Sequence, residues 1–159
     1  NIYHIHATGR GEWQEIKAKL LERGYSDNGD YVTRGKVTVR EYIYDMPTLM
    51  SAADIIISRA GAMTIAELSA MGKAAVLIPS PNVTNNHQYK NAAVLEKAGG
   101  AVLIEEKNLT PEVLEKKLSE LISDKNKLCS LKQNIKQFAV PDSLERVDRV
   151  VMELLKRKK

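Results

Sequence analysis

The chain has 159 residues, 43% of them hydrophobic and 28% charged, enough for one domain with a real core. No apolar run approaches the ~20 residues needed to cross a bilayer, residues 1–10 have none of the features of a signal peptide, and a single cysteine, Cys129, excludes an internal disulfide. A balance of 24 basic against 20 acidic residues gives +4, too small and dispersed to point to nucleic acid, and aromatic residues are only 5%.

In chain order, residues 2–6 read as a strand and residues 12–23 as a helix with Trp13, Ile16, Leu20 and Leu21 on one face. Ser26-Asp27-Asn28-Gly29-Asp30 reads as a turn, because Asn-Gly is a strong turn signal and the segment is too short for a calcium loop. A strand is expected over 37–42 and a short helix over 46–53. Ile55, Ile56 and Ile57 form a buried strand that enters Ser-Arg-Ala-Gly, and helical periodicity begins at once with Ala62, Met63, Ile65, Ala66, Leu68, Ala70 and Met71. The next strand, 74–78, stops at Pro79-Ser80-Pro81, and a polar loop over 82–86 leads into a helix opening with His87-Gln88-Tyr89-Lys90-Asn91. The last strand is read at 101–104. Pro111 then occupies the first turn of a helix capped by Thr110, and the helices 112–123, about 125–138 and 143–156 complete the chain. The alternation implies an α/β fold, a parallel sheet with helices on both faces, in which ligands collect at the carboxyl ends of strands.

Two half-sites fall at such ends. The first amides of a helix lack partners inside it, and the helix dipole adds partial positive charge there, so the turn at Gly61 to Thr64 can seat phosphate oxygens. Gly61 allows close approach of the backbone. Glu67 follows Thr64 at i+3 on the same face, where a carboxylate can accept hydrogen bonds from both hydroxyls of a ribose. Alone, Thr64 and Glu67 read first as a capping box with no ligand. Gln88 and Asn91 are also i, i+3, and two amides at a helix start suit sugar hydroxyls better than a core. His87 is assigned to loop ordering or a donor contact. His4 and His6 share a strand face, but no third ligand is evident, so no metal site is expected. Cys129 carries no assigned chemistry. The tail Lys156-Arg157-Lys158-Lys159 reads as a solvated helix end, with attraction to an anionic membrane surface as the alternative.

The pattern Arg59-Ala60-Gly61-Ala62-Met63-Thr64-x-x-Glu67, then Pro79 and His87-Gln88-x-x-Asn91-Ala92, resembles the carboxy-terminal, donor-binding domain of the MurG family. That family transfers N-acetylglucosamine from UDP to a lipid-linked muramyl-peptide precursor of peptidoglycan. The flanking segments His6-Ala7-Thr8-Gly9, Tyr42-Ile43-x-x-Met46 and Pro141-Asp142 extend the resemblance over essentially the whole chain.

The resemblance implies a Rossmann-like, GT-B half-domain over 1–159, with the final helices, about 112–157, packed on the sheet domain. It implies that the amides around Ala62 and Met63 and the Thr64 hydroxyl hold the diphosphate, Glu67 the ribose, Gln88 and Asn91 the N-acetylglucosamine hydroxyls, and the Ile43 backbone the uracil edge. Arg59 would buttress the loop. No cofactor and no metal are implied, and no Asp-x-Asp motif is present. Family members also have an amino-terminal acceptor domain, and their donor domain opens with a strand and a glycine-rich loop. Asn1 begins in what resembles the second strand, so the chain reads as a partial domain. The catalytic base would then lie in the absent half, and the chain alone is expected to be inactive. The location implied is cytoplasmic, peripheral at the inner face of the cell membrane. Two alternatives stay open: a donor subunit of another UDP-sugar transferase acting on a polyprenol diphosphate with a membrane-bound partner, and a non-catalytic nucleotide-binding domain.

Overall fold

The computed structural model describes residues 2–156. Expectations that fall on Asn1 and on Arg157, Lys158 and Lys159 lie outside the described residues. The chain divides between Leu49 and Met50 into two compact units, where the sequence was read as one domain.

The first unit contains β1 (His4–Ala7), α1 (Trp13–Glu22), β2 (Ser26–Asp27), β3 (Tyr31–Arg34) and β4 (Val37–Arg40). β1 runs parallel to β4, with His4 opposite Val37 and Ala7 opposite Arg40, and α1 lies in the connection between them. The turn read at Asn28-Gly29 joins two short strands that were not anticipated. Gly29 takes φ +82°, its amide donates to Asp27 Oδ1 (2.9 Å), and the Asn28 amide donates to the Tyr31 carbonyl (2.9 Å). β3 therefore pairs antiparallel with β4, and β2 with β3, so this sheet is mixed rather than parallel throughout. Trp13, Val32 and Val39 are its buried core, with Leu20, Tyr25 and Val37 packed around them. α2 (Met46–Ala52) follows, and its Met50 belongs to the core of the second unit.

The second unit is built on β5 (Ile55–Ser58), β6 (Ala74–Leu77) and β7 (Val102–Leu103), all parallel and in that spatial order. β6 is central and buried at every residue, as a strand covered on both faces must be. Its alternation divides the core. Ala75 and Leu77 join Leu68, Ala92, Leu95 and Ile135, whereas Ala74, Val76 and the following Ile78 join Ile104, Leu121 and Leu131. α3 (Ala62–Met71) and α4 (His87–Lys97) cover the first face, and α5 (Pro111–Ser123) covers the second. α6 (Lys125–Ile135) contributes to both clusters through Ile135 and Leu131. α3 ends at Gly72, whose φ of +61° and amide bond to the Ser69 carbonyl (3.2 Å) form a left-handed cap. At α5 the Thr110 hydroxyl accepts from the Val113 amide (3.3 Å) and Pro111 opens the first turn, as read.

Two differences concern the end of the chain. The helix expected to 138 closes at Ile135 and tightens into a 3₁₀ turn over Lys136–Phe138. α7 (Ser143–Lys156) has the expected bounds, but all its residues are exposed. Leu144, Val147, Val151 and Leu154 recur at helical spacing yet remain uncovered. Packing on the sheet domain thus extends through α5, α6 and Phe138, not through α7.

Candidate functional site at the carboxyl ends of β5 and β6

β5 ends at Ser58, and Arg59-Ala60-Gly61 turns the chain into α3. Gly61 is the N-cap, in extended backbone at φ −68°, and no side chain caps the helix. The first bond of the helix runs from the Ile65 amide to the Gly61 carbonyl (3.0 Å). The amides of Ala62, Met63 and Thr64 precede it and lie at the positive end of the α3 dipole. This geometry corrects the capping-box alternative. Thr64 occupies the third helical position rather than the N-cap, so it cannot hold the helix start in that motif. A Cβ at Gly61 would meet only Thr64 Oγ1, at 3.9 Å, and its φ is ordinary. What the missing side chain does there is leave the amides open to approach. Glu67 lies one turn on and exposed, with no ion-pair partner among the described residues.

The second half-site is tied to the first. The Asn91 Nδ2 donates to the Ala60 carbonyl (3.3 Å), joining α4 to the turn before α3. Gln88 Oε1 accepts from the Ser80 amide (3.0 Å), joining the same helix to the loop after β6. Each amide therefore uses one end on the scaffold, and among the described residues the other, Gln88 Nε2 and Asn91 Oδ1, has no hydrogen-bond partner. Neither scaffold bond was anticipated. His87 Nδ1 lies 2.9 Å from the Thr84 carbonyl, which requires the proton on Nδ1 and leaves Nε2 as the free ring nitrogen. Asn85 and Asn86, just before α4, are left-handed at φ +55° and +52°, a conformation Asn tolerates better than most residues. The polar composition of that loop was the sequence signal for it.

Arg59 does not project freely. Its Nη1 donates to the Ile78 carbonyl (3.2 Å) and pairs with the Glu106 carboxylate on the 3₁₀ turn Glu106–Asn108. A cleft of about 460 Å³ beside this pair is lined by residues that include Ser80, Asn86, Tyr89 and Glu106.

The remaining candidates lie in the first unit. Ile43 is half-buried on the segment between β4 and α2, and the rings of Tyr42 and Tyr44 on either side meet edge-on at 5.1 Å. The β1–β4 register continues into the His6–Gly9 turn, where the Thr8 and Gly9 amides donate to the Arg40 and Glu41 carbonyls (3.0 and 2.9 Å). The His6 imidazole is held below its ordinary value of 6.5, first by desolvation and second by the charge of His4, whose ring lies 5.9 Å away. Among the described residues no group of three or more His, Cys, Asp or Glu is placed to hold a metal ion, and no helix is long and apolar enough to cross a membrane.

A strand, glycine turn and open helix start on a parallel sheet covered by helices on both faces define a Rossmann-like domain of the GT-B glycosyltransferase class. The chain belongs to the glycosyltransferase family 28 C-terminal domain family, which it matches over residues 1–147. It is 38% identical over 157 residues to the UDP-N-acetylglucosamine--N-acetylmuramyl-(pentapeptide) pyrophosphoryl-undecaprenol N-acetylglucosamine transferase of Acetivibrio thermocellus, covering 99% of this chain and 40% of that protein. It is 36% identical to the transferase of the same name from Bacillus cytotoxicus, covering 99% of this chain and 41% of that one. The crystal structure of MurG from Acinetobacter baumannii superposes with a TM-score of 0.75 at 28% identity, over 94% of this chain and 42% of that chain. The chain thus spans about two fifths of the length of the curated relatives it matches.

Proposed function

We propose that this chain is the UDP-N-acetylglucosamine-binding part of an inverting glycosyltransferase that adds N-acetylglucosamine to a polyprenyl-diphosphate-linked muramyl-peptide in peptidoglycan synthesis. The observation that carries the reading is the bond from Asn91 Nδ2 to the Ala60 carbonyl, which unites a phosphate-type helix start and a sugar-type amide pair in one unit. The amides of Ala62 and Met63 with the Thr64 hydroxyl take the diphosphate, Glu67 the ribose, and Gln88 and Asn91 the sugar hydroxyls. Arg59, Gly61 and His87 shape the loops around them.

Transfer requires the C1–O bond of the donor sugar to break as the acceptor hydroxyl attacks from the opposite face, and negative charge grows on the departing UDP diphosphate. Helix amides already aimed at that charge stabilise it without reorganising. Acceptor binding and the base that removes the acceptor proton fall to an amino-terminal domain or partner chain, so the purified chain binds donor but transfers nothing. The setting is the cytoplasmic face of the cell membrane, reached through that partner and its lipid-linked acceptor.

The test is an NMR titration of this chain with UDP-N-acetylglucosamine, UDP-glucose and UDP, repeated in Glu67→Ala and Gln88→Ala. Shifts at Gly61 to Glu67 with every ligand, and at Gln88 to Asn91 only with the N-acetylglucosamine donor, support the proposal. Binding of UDP with no sugar-dependent response would instead favour a nucleotide-binding domain without transferase function.

A further inference from the structure

One side chain spans the strand ends that carry the site. Arg59 leaves the end of β5, donates to Ile78 at the end of β6, and pairs with Glu106, three residues beyond β7. The backbone beneath it is also continuous: the Ile78 amide donates to the Ser58 carbonyl (2.9 Å) and the Ile104 amide to the Leu77 carbonyl (3.0 Å). Asn91 holds Ala60 from the other side. Ala60 is fully buried between these two attachments, and Gly61 follows it directly.

The pair is poorly explained as a source of global stability. The Arg59 and Glu106 side chains keep 53% and 38% of their surface exposed, and exposed ion pairs contribute little to the unfolding equilibrium. What such a pair can do is select one rotamer of a long side chain. Arg59 without its carboxylate partner retains a single neutral acceptor, the Ile78 carbonyl, and has several competing rotamers. The residue that chooses among them is Glu106, which is 47 positions away in sequence.

We propose that Glu106 is a positioning residue of the donor site: by fixing Arg59 it holds the Ala60-Gly61 turn, and with it the first amides of α3, in the geometry that receives the diphosphate. The proposal rests on the donor-site reading above. Glu106 acts through Arg59 and makes no contact with the ligand itself, so its effect must vanish when Arg59 is absent.

The experiment compares the parent chain with Glu106→Gln, Arg59→Ala and the double variant, following backbone amide spectra without ligand, UDP titrations and thermal midpoints. In Glu106→Gln the ligand-free amides of Ala60 to Met63 shift and the thermal midpoint stays within a degree or two of the parent. UDP affinity falls by about threefold, the scale of coupling through one shared partner. In the Arg59→Ala background the same Glu106 substitution changes neither amides nor affinity. Unmoved amides at Ala60 to Met63, or additive losses in the double variant, overturn the proposal. If the parent binds no UDP while Glu106→Gln still moves those amides, the donor-site reading fails and Glu106 is left as an organiser of the turn alone.

Discussion

Gln88→Glu separates the two ends of a side chain that the structure shows in use on one side only. Gln88 Oε1 accepts from the half-buried Ser80 amide at 3.0 Å. Gln88→Ala would leave that amide unpaired, at a cost of about 1 kcal/mol in local order, so any loss of binding would mix loop disorder with a missing ligand contact. Glutamate keeps an acceptor for Ser80 and replaces the Nε2 donor with an ionised oxygen, whose charge repels the diphosphate common to both ligands and so largely cancels in the ratio of their affinities. A neutral hydrogen bond to a sugar hydroxyl contributes about 0.5–1.5 kcal/mol net, which corresponds to an affinity loss of about two- to twelvefold. The loss should appear as a fall in the affinity for UDP-N-acetylglucosamine relative to UDP, beyond any weakening that the new charge imposes on both. Calorimetric titration of both ligands into parent and variant measures the ratio of the two affinities. An unchanged ratio, or equal weakening of both ligands, would refute the assignment of Nε2 to the sugar.

Three further outcomes follow from packing, capping and titration. Gly100→Ala places a Cβ 3.1 Å from the Ile135 backbone N and Cα, atoms of α6 that cannot swing aside. It should destabilise the second unit by about 1–3 kcal/mol in urea unfolding, and an unchanged midpoint would show that α6 can move. Thr110→Ala removes the cap of α5, whose 3.3 Å bond places the loss near the low end of the usual range, about 0.5–1 kcal/mol; measured by the same method, no loss would show that the cap is idle. Because folding lowers the His6 value below 6.5, the unfolded chain takes up that proton first. The contribution of His6 is therefore intact above pH 6.5 and declines as the pH falls through the depressed folded value. His6→Gln should flatten that part of the stability curve, and a parallel slope in parent and variant would assign it to other groups.

Local patterns carried most of the second unit. Three isoleucines followed by a glycine turn, and a buried strand stopped by Pro79-Ser80-Pro81, are punctuated clearly enough that β5, α3 and β6 lie within a residue or two of their reading. Thr110-Pro111 announced α5 in the same way. β2 and β3 were missed because their two- and four-residue lengths leave almost no periodicity, although Tyr31-Val32-Thr33 after Asn-Gly is a recognisable hairpin return. The exposure of α7 could not be read at all, since an apolar stripe at helical spacing looks the same whether covered or bare. At the site, residue types and spacing located the helix start and the amide pair. They carried no information about Ser80 and Gln88, Ala60 and Asn91, or Arg59 and Glu106, because those partners are 8, 31 and 47 residues apart and meet only through the sheet.

Those three attachments change how specificity at this site is understood. A long amide on a helix surface has several rotamers, and ordering it on a ligand carries an entropic cost. Gln88 and Asn91 are already ordered by bonds to Ser80 and Ala60, so their free ends are presented in fixed directions without a ligand. The same bonds make the strand-end loops depend on the amides: the Ala60 carbonyl that Asn91 engages belongs to the turn that opens α3. On the proposed donor reading, phosphate seat and sugar reader are consequently one mechanical unit. A substitution at Asn91 should therefore weaken UDP as well as the sugar nucleotide, whereas Gln88→Glu lowers the affinity for the sugar nucleotide relative to UDP. That contrast, measured side by side, separates a coupled site from two independent ones.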